Sequence, residues 1–173
     1  MTVVSDTSVL RYLVTLDAGA FLQKRFGRIL MPPEVAEECL HPSAPGKLRT
    51  FIQGSPDWLD IKMAEPLDVP GLERLDHGES AAIRLALGRQ ADLLLIDERI
   101  GRKTALGAGL RVAGTLGLLA DAAQRGWLDF DEAVSCLTAQ TNFRVSPEVL
   151  RAVSRMVQGH QGCAWHPTSS SCH

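Results

Sequence analysis

The sequence predicts an α/β fold built on a parallel sheet. Two observations carry that prediction. Short apolar runs alternate with stretches of helical periodicity, the pattern of repeated strand–helix units. One of these runs, Leu93-Leu94-Leu95-Ile96, is apolar without alternation, as a strand buried on both faces requires. It ends at Asp97, with Glu98 and Arg99 just beyond. Open parallel sheets form their sites outside the carboxyl ends of strands, so an acid delivered there is a candidate for chemistry.

The elements follow in order. Residues 2–5 read as a first strand ending at Asp6. Thr7-Ser8 can start a helix, and Val9, Leu10, Leu13 and Leu16 then recur at near-helical spacing. Residues 29–31 form a second apolar run, closed by Pro32-Pro33. Proline is accepted in the first turn of a helix, and residues 34–40 are expected to be helical. A loop and a short helix are expected over 41–50, and a strand over 58–61. Residues 65–78 hold two prolines, two glycines and several acids, which suggests a surface connection. Gly78-Glu79-Ser80 then opens a helix that Gly88 can stop. After the strand at 93–96, a helix is expected over 99–106, broken by Gly107 and Gly109, and a strand over 110–113. Thr115 can cap a helix over 116–125 that Gly126 ends. Residues 129–157 contain two further helical segments. The sequence holds no internal repeat.

Composition narrows the function. The chain has 173 residues, 45% of them hydrophobic, which favours one domain with a substantial core. We expect that domain over 1–157 and a flexible tail over 158–173. Eighteen Lys and Arg against twenty Asp and Glu give a net charge of −2. That balance gives no broad electrostatic grip on nucleic acid but leaves room for a local basic site. No apolar run approaches the ~20 residues that span a bilayer. The start, MTVVSDTSVL, lacks the pattern of a signal peptide. The four cysteines, Cys39, Cys136, Cys163 and Cys172, form no CxxC. A cytoplasmic protein with reduced thiols and no membrane contact is the expectation.

Four acids stand out: Asp6, Glu38, Glu79 and Asp97. Asp6 and Asp97 end strands, Glu38 lies in the helix after Pro32-Pro33, and Glu79 lies in the first turn of the helix after Gly78. Carboxylates that converge without basic partners repel one another until a cation compensates. Hard oxygen ligands suit Mg²⁺ or Mn²⁺, ions that serve phosphodiester hydrolysis by activating water and steadying the leaving oxygen. Each acid also has a plainer reading. Asp6 before Thr-Ser can be a helix cap, Glu79 can complement a helix dipole, and Glu37 and Glu38 can be solvated surface, with either able to be the functional member. Glu98 reads as a surface or supporting acid. Arg102 and Lys103 could meet a phosphate near Asp97 or be exposed charges. Thr115 could cap a helix, hold a metal-bound water or meet the substrate phosphate.

The segments VVSDTSVL, PPEVAEE, DHGESAAIRLA, LLLIDERIGRKTA and GLRVAGTLGLLADAAQRG, in this order, resemble the PIN-domain ribonucleases over about residues 2–155. The resemblance implies a three-layer α/β/α domain with a mainly parallel sheet and a metal-dependent nuclease site at the carboxyl ends of the strands. On it, Asp6 matches the first-strand aspartate, Glu38 the second acidic position, Asp97 the acid after the central strand, and Glu79 an acid near the site in a branch carrying a GE motif. Many PIN proteins carry an Asp in the helix after the third acidic position. Here Arg, Ile and Gly-Arg follow Asp97-Glu98, so the site is completed differently. Many bacterial members are similar to VapC toxins, which cleave RNA and are held inactive by a small antitoxin with a basic tail. The resemblance therefore implies a Mg²⁺- or Mn²⁺-dependent endoribonuclease acting on single-stranded or looped RNA, with an antitoxin partner.

The competing reading is a PIN-like protein of weak or no turnover, whose acidic pocket takes a basic peptide or a metal. A phospho-acceptor receiver domain is disfavoured, because the first strand ends in a single acid and GLRVAGTLG has no lysine. No GxGxxG follows the first strand, which disfavours dinucleotide binding. The apolar helical residues at 9–22, if exposed, could support a homodimer. The tail GHQGCAWHPTSSSCH holds Cys and His at a spacing of no common zinc module. A disordered end, or one that orders on a partner, is the expectation for it, with Trp165 as a contact residue.

Overall fold

The structure is a computed structural model and describes residues 1–159. The sequence predictions for the Cys- and His-containing tail, Trp165 included, fall outside the described residues. Among the described residues five strands form one sheet: β1 (Val3–Ser5), β2 (Ile29–Met31), β3 (Leu59–Ile61), β4 (Leu93–Leu95) and β5 (Val112–Ala113). Their order is β3-β2-β1-β4-β5, and every pairing is parallel. Between and after them come α1 (Thr7–Thr15), α2 (Gly19–Phe26), α3 (Pro33–Leu40), α4 (Gly46–Gln53), α5 (His77–Gly88), α6 (Arg99–Gly107), α7 (Thr115–Gln124), α8 (Phe130–Gln140) and α9 (Pro147–Gln158). The arrangement is the three-layer α/β/α fold. Among the described residues no helix is long and apolar enough to cross a membrane.

The central strands show why both faces must be covered. Leu94, Leu95 and Ile96 are all fully buried, as are Val4 and Ile29. Consecutive residues of a strand point to opposite faces, so helices pack on each side of the sheet. From β1 the chain builds outward through β2 to β3, then returns to place β4 on the other flank of β1. That reversal between β1 and β4 opens a crevice past their carboxyl ends.

Several expectations are corrected in detail. The strand expected over 110–113 is only Val112–Ala113, because Gly109 adopts a left-handed φ of 86° and Leu110 turns into the core. Thr115 does not cap α7; Gly114 occupies the cap position and Thr115 is the first helical residue. Most of the large apolar residues of 9–22 are turned into the core, with Tyr12, Leu16 and Ala18 partly exposed and Ala20 exposed. Val9, Leu10, Leu13, Val14, Phe21 and Leu22 are all buried in the protomer's own core. The chain breaks there into two helices at Asp17, whose φ is 57°, which turns both apolar stripes inward.

Candidate active site

Asp6 and Asp97 leave neighbouring strands on the same side of the sheet. Ser5 of β1 stands level with Leu95 of β4, and the Asp6 N–H donates to the Leu95 carbonyl at 3.0 Å. Asp6 is only 2% exposed. The Ser8 hydroxyl reaches both of its oxygens, at 2.9 and 2.7 Å, and the Val9 N–H donates to Oδ1 at 3.2 Å. The last bond caps α1, so the cap is real and does not exclude a role in the site. Burial pushes the Asp6 carboxyl from its ordinary 3.8 up to about 8, opposed by the Ser8 and Val9 bonds and reinforced by the charges of Asp97 and Glu79.

Asp97 is clamped by Thr115. The Thr115 N–H donates to Oδ1 at 2.8 Å and its hydroxyl to Oδ2 at 2.5 Å. The carboxylate thereby satisfies an orphan N–H of the first turn of α7 from outside the helix. The Asp97 N–H donates to Ser8 Oγ at 3.3 Å, so Ser8 ties the two acids together. Burial raises the Asp97 pKa, while the Thr115 bonds and the Arg102 charge lower it. Arg102 Nη1 donates to the Ile96 carbonyl at 3.0 Å, which holds the guanidinium beside the strand end.

Gly114 makes this approach possible. A Cβ there would lie 2.7 Å from Asp97 Oδ1 and 2.8 Å from Arg102 Nη1. Gly114→Ala is therefore expected to displace both side chains. The overpacking costs about 1–3 kcal/mol, and misplacing site groups by about an ångström costs about 100-fold in rate. Urea unfolding and RNA cleavage by the variant check the two parts. Wild-type cleavage by Gly114→Ala would show that the Asp97–Arg102 placement is unimportant.

Glu79 enters from α5. Asp76 caps that helix and accepts the Glu79 N–H at 2.8 Å. Glu79 is 9% exposed. Burial pushes its carboxyl from 4.5 up to about 7, with the charges of Asp76, Glu98 and Glu38 adding to the rise and a hydrogen bond from the Asp76 backbone opposing it. Glu38 reaches across from α3, accepting the Thr7 hydroxyl and, at 2.9 Å, the Gly78 N–H. A Cβ at Gly78 would stand 2.5 Å from both Glu38 oxygens, so a residue without a side chain lets the acid dock on the start of α5. Glu37 is exposed; Glu38 is the one turned toward Thr7 and Gly78.

The acids do not share one open bowl. Asp97, Glu98 and Arg102 line a cavity of about 830 Å³. Asp6, Glu38 and Glu79 line a second of about 720 Å³. Ser8 and Tyr12 belong to the walls of both, and the two cavities meet along them. Thr115 is fully buried and turns its hydroxyl on Asp97. Lys103 is exposed.

Sequence reasoning passed over Asp76, Thr7, Ser8 and Tyr12 as contributors to the site. Asp76 and Glu79 form the D-x-x-E signature of a helix start. Thr7 and Ser8 were read only as a helix start, although hydroxyls beside a strand-end acid are ready donors. Tyr12 lies four residues after Ser8 on the same face of α1. The proximity of Glu98 to Glu79 had no sequence signal beyond its position after Asp97.

Among the described residues, no three Asp, Glu, His or Cys side chains are gathered tightly enough to hold a metal ion. The donor chemistry nevertheless fits a divalent cation. Asp6, Glu79 and Asp97 all have raised pKa values, and Asp6 feels both of the others. Added positive charge would lower all three, and carboxylate oxygen is the ligand that Mg²⁺ and Mn²⁺ prefer.

An all-parallel sheet with buried acids past the ends of adjacent strands defines an α/β protein with an acidic site at its topological switch point. The chain belongs to the PIN-domain family: a family model described as a PIN domain matches residues 2–158. PIN domains are typically nucleases, hydrolases of phosphodiester bonds that act on RNA and generally use divalent metal ions. No curated protein and no solved structure matches the chain.

Proposed function

We propose that the protein is a Mg²⁺- or Mn²⁺-dependent endoribonuclease in which Asp6, Glu38, Glu79 and Asp97 hold the metal. The observation that carries this reading is Asp6: a carboxylate 2% exposed, raised to about 8, with Asp97 and Glu79 as its electrostatic neighbours. Such a group is costly to ionise unless a cation joins it. A bound divalent ion supplies Lewis acidity at the phosphate and lowers the pKa of water. The protein's own residues orient and position. Thr115 fixes the Asp97 carboxylate, Ser8 links Asp97 to Asp6, and Gly78 and Thr7 hold Glu38. Arg102, beside Asp97, is placed to pair with a phosphate oxygen. Thr115 acts on that phosphate only through Asp97. The Ser8 and Thr115 hydroxyls are engaged with carboxylates, and the reaction needs no side-chain nucleophile.

The toxin of a toxin–antitoxin pair is the setting we infer. Six carboxylates, Asp6, Glu34, Glu37, Glu38, Asp76 and Glu79, line the second cavity, which suits a basic side chain from a small cytoplasmic antitoxin. Cleavage of a mixed RNA pool with Mg²⁺, with Mn²⁺ and with EDTA, beside Asp97→Asn, tests the nuclease. Metal-dependent cutting that the variant loses supports it; equal cutting by the variant removes the assignment. Growth arrest on expression, relieved by a neighbouring gene for a short protein with a DNA-binding start and a basic tail, tests the pairing.

A further inference from the structure

The two cavities that meet along Ser8 and Tyr12 differ in charge, and the difference selects a path for the substrate strand. The 720 Å³ cavity sets six carboxylates against Arg11. Beyond the phosphate that a metal on Asp6, Glu38 and Glu79 would hold, a polyanion finds only Arg11 and the histidines His41 and His77 there. The 830 Å³ cavity is lined by Arg25, Arg102 and Arg144 beside Asp97, Glu98 and Asp121. Arg25 pairs with Asp121 at 2.8 Å. Among the described residues, Arg102 and Arg144 form no ion pair. Arg102 gives one N–H to the Ile96 carbonyl and Arg144 one to the Phe143 carbonyl, which leaves other guanidinium N–H groups of both for phosphate.

The same cavity carries an aromatic pair. Tyr12 and Phe143 pack edge to face, with ring centroids 5.2 Å apart and planes at 82°. Both rings are half-buried and both line the cavity. The Tyr12 hydroxyl donates to Asn142 Oδ1 at 3.2 Å, which fixes the link between α8 and α9 against α1. That link delivers Phe143 and Arg144 side by side. An aromatic ring for a base beside a cation for its phosphate is the pairing by which proteins hold single strands.

We propose that this cavity seats the nucleotide adjacent to the scissile phosphate, its base on Phe143 and its phosphates between Arg102 and Arg144. Phe143 and Arg144 bind the strand, and Asp97 lines the same cavity. The proposal rests on the nuclease reading and names the strand's route through that site.

The test compares wild type with Phe143→Ala, Phe143→Tyr and Arg144→Ala. A fluorescein-labelled single-stranded RNA of mixed sequence is titrated by anisotropy in EDTA, and KM and kcat are measured with Mg²⁺. Phe143→Ala is expected to weaken binding and raise KM by about 5- to 100-fold, the loss of one stacked base, with kcat little changed. Phe143→Tyr should restore both. Arg144→Ala, at an exposed residue, should weaken binding and make the log–log salt slope shallower by about 0.7. Melting curves exclude unfolding of Phe143→Ala, and Phe143→Tyr and Arg144→Ala decide the matter if it unfolds. Unchanged affinity and KM in a protein that cuts RNA overturn the subsite and leave the nuclease standing. A wild type that neither binds nor cuts RNA sinks both readings together.

Discussion

Asp6→Asn is expected to abolish RNA cleavage and to raise the melting temperature of the metal-free protein at pH 8. The two effects have one cause. Asp6 is buried with two other acids pressing on it, and an uncompensated buried charge costs stability. Asparagine removes the charge at almost the same volume. Its carbonyl oxygen can accept from Val9, as a helix cap should, and Ser8 Oγ can accept from its amide. Asp97→Asn should also abolish cleavage, but without the same gain in stability. The Thr115 hydroxyl donates to Oδ2 of Asp97, and an amide nitrogen there would leave that buried proton without an acceptor, at about 1 kcal/mol. Cleavage gels and thermal melts in EDTA separate the cases. An Asp6→Asn protein that cuts at the wild-type rate removes Asp6 from the site. One that melts below wild type in EDTA at pH 8 contradicts the account of an uncompensated charge.

The second large effect is the pH dependence of stability without metal, and its reversal by metal. Asp6 titrates at about 8 in the folded protein against an ordinary 3.8, and Glu79 at about 7 against 4.5. Between those values the folded chain holds protons that the unfolded chain has released. Stability therefore falls as pH rises from about 4 to about 8, the opposite of an acid held in a salt bridge. The stabilising proton is fully present below the unfolded values and lost as pH passes the folded ones. A divalent cation replaces the proton, so its stabilisation should be largest at the upper end. At ~100 times its dissociation constant it adds ~2.7 kcal/mol if it binds only the native state. Urea unfolding at pH 5 and pH 8, in EDTA and in Mg²⁺ or Mn²⁺, measures both. A profile that climbs with pH in EDTA would refute the burial argument. Equal metal stabilisation of wild type and Asp6→Asn would place the metal elsewhere.

Much of the architecture is legible along the chain because it rests on local periodicity. Residues 29–31 and the run at 93–96 announce buried strands, and Pro32-Pro33 and Gly126 mark helix ends. Strand-end acids could be singled out for the same reason: a carboxylate straight after apolar residues is visible without a fold. Elements whose limits depend on partners were less legible. β5 is two residues long because Leu110, just before it, is drawn into the core after the left-handed turn at Gly109, which local spacing does not show. The stripes over 9–22 gave no sign of whether they face a core or a partner, since burial of an apolar face is the same sequence event in either case.

Local pattern along the chain is enough to give the parallel α/β class, the succession of strands and helices, and Asp6 and Asp97 at strand ends. How those acids relate depends on long-range packing. Register places Ser5 beside Leu95, Ser8 joins Asp6 to the backbone of Asp97, and Thr115 turns on Asp97 from 18 residues away. The choice of Glu38 over Glu37 came from a contact with Gly78, 40 positions along the chain. Tyr12 meets Asn142 across 130 positions. Helix and strand are written in spacings of two to four residues, which a sequence displays directly. A site is made by groups that the sheet's reversal brings together, and nothing in their local spacing records which of them will meet.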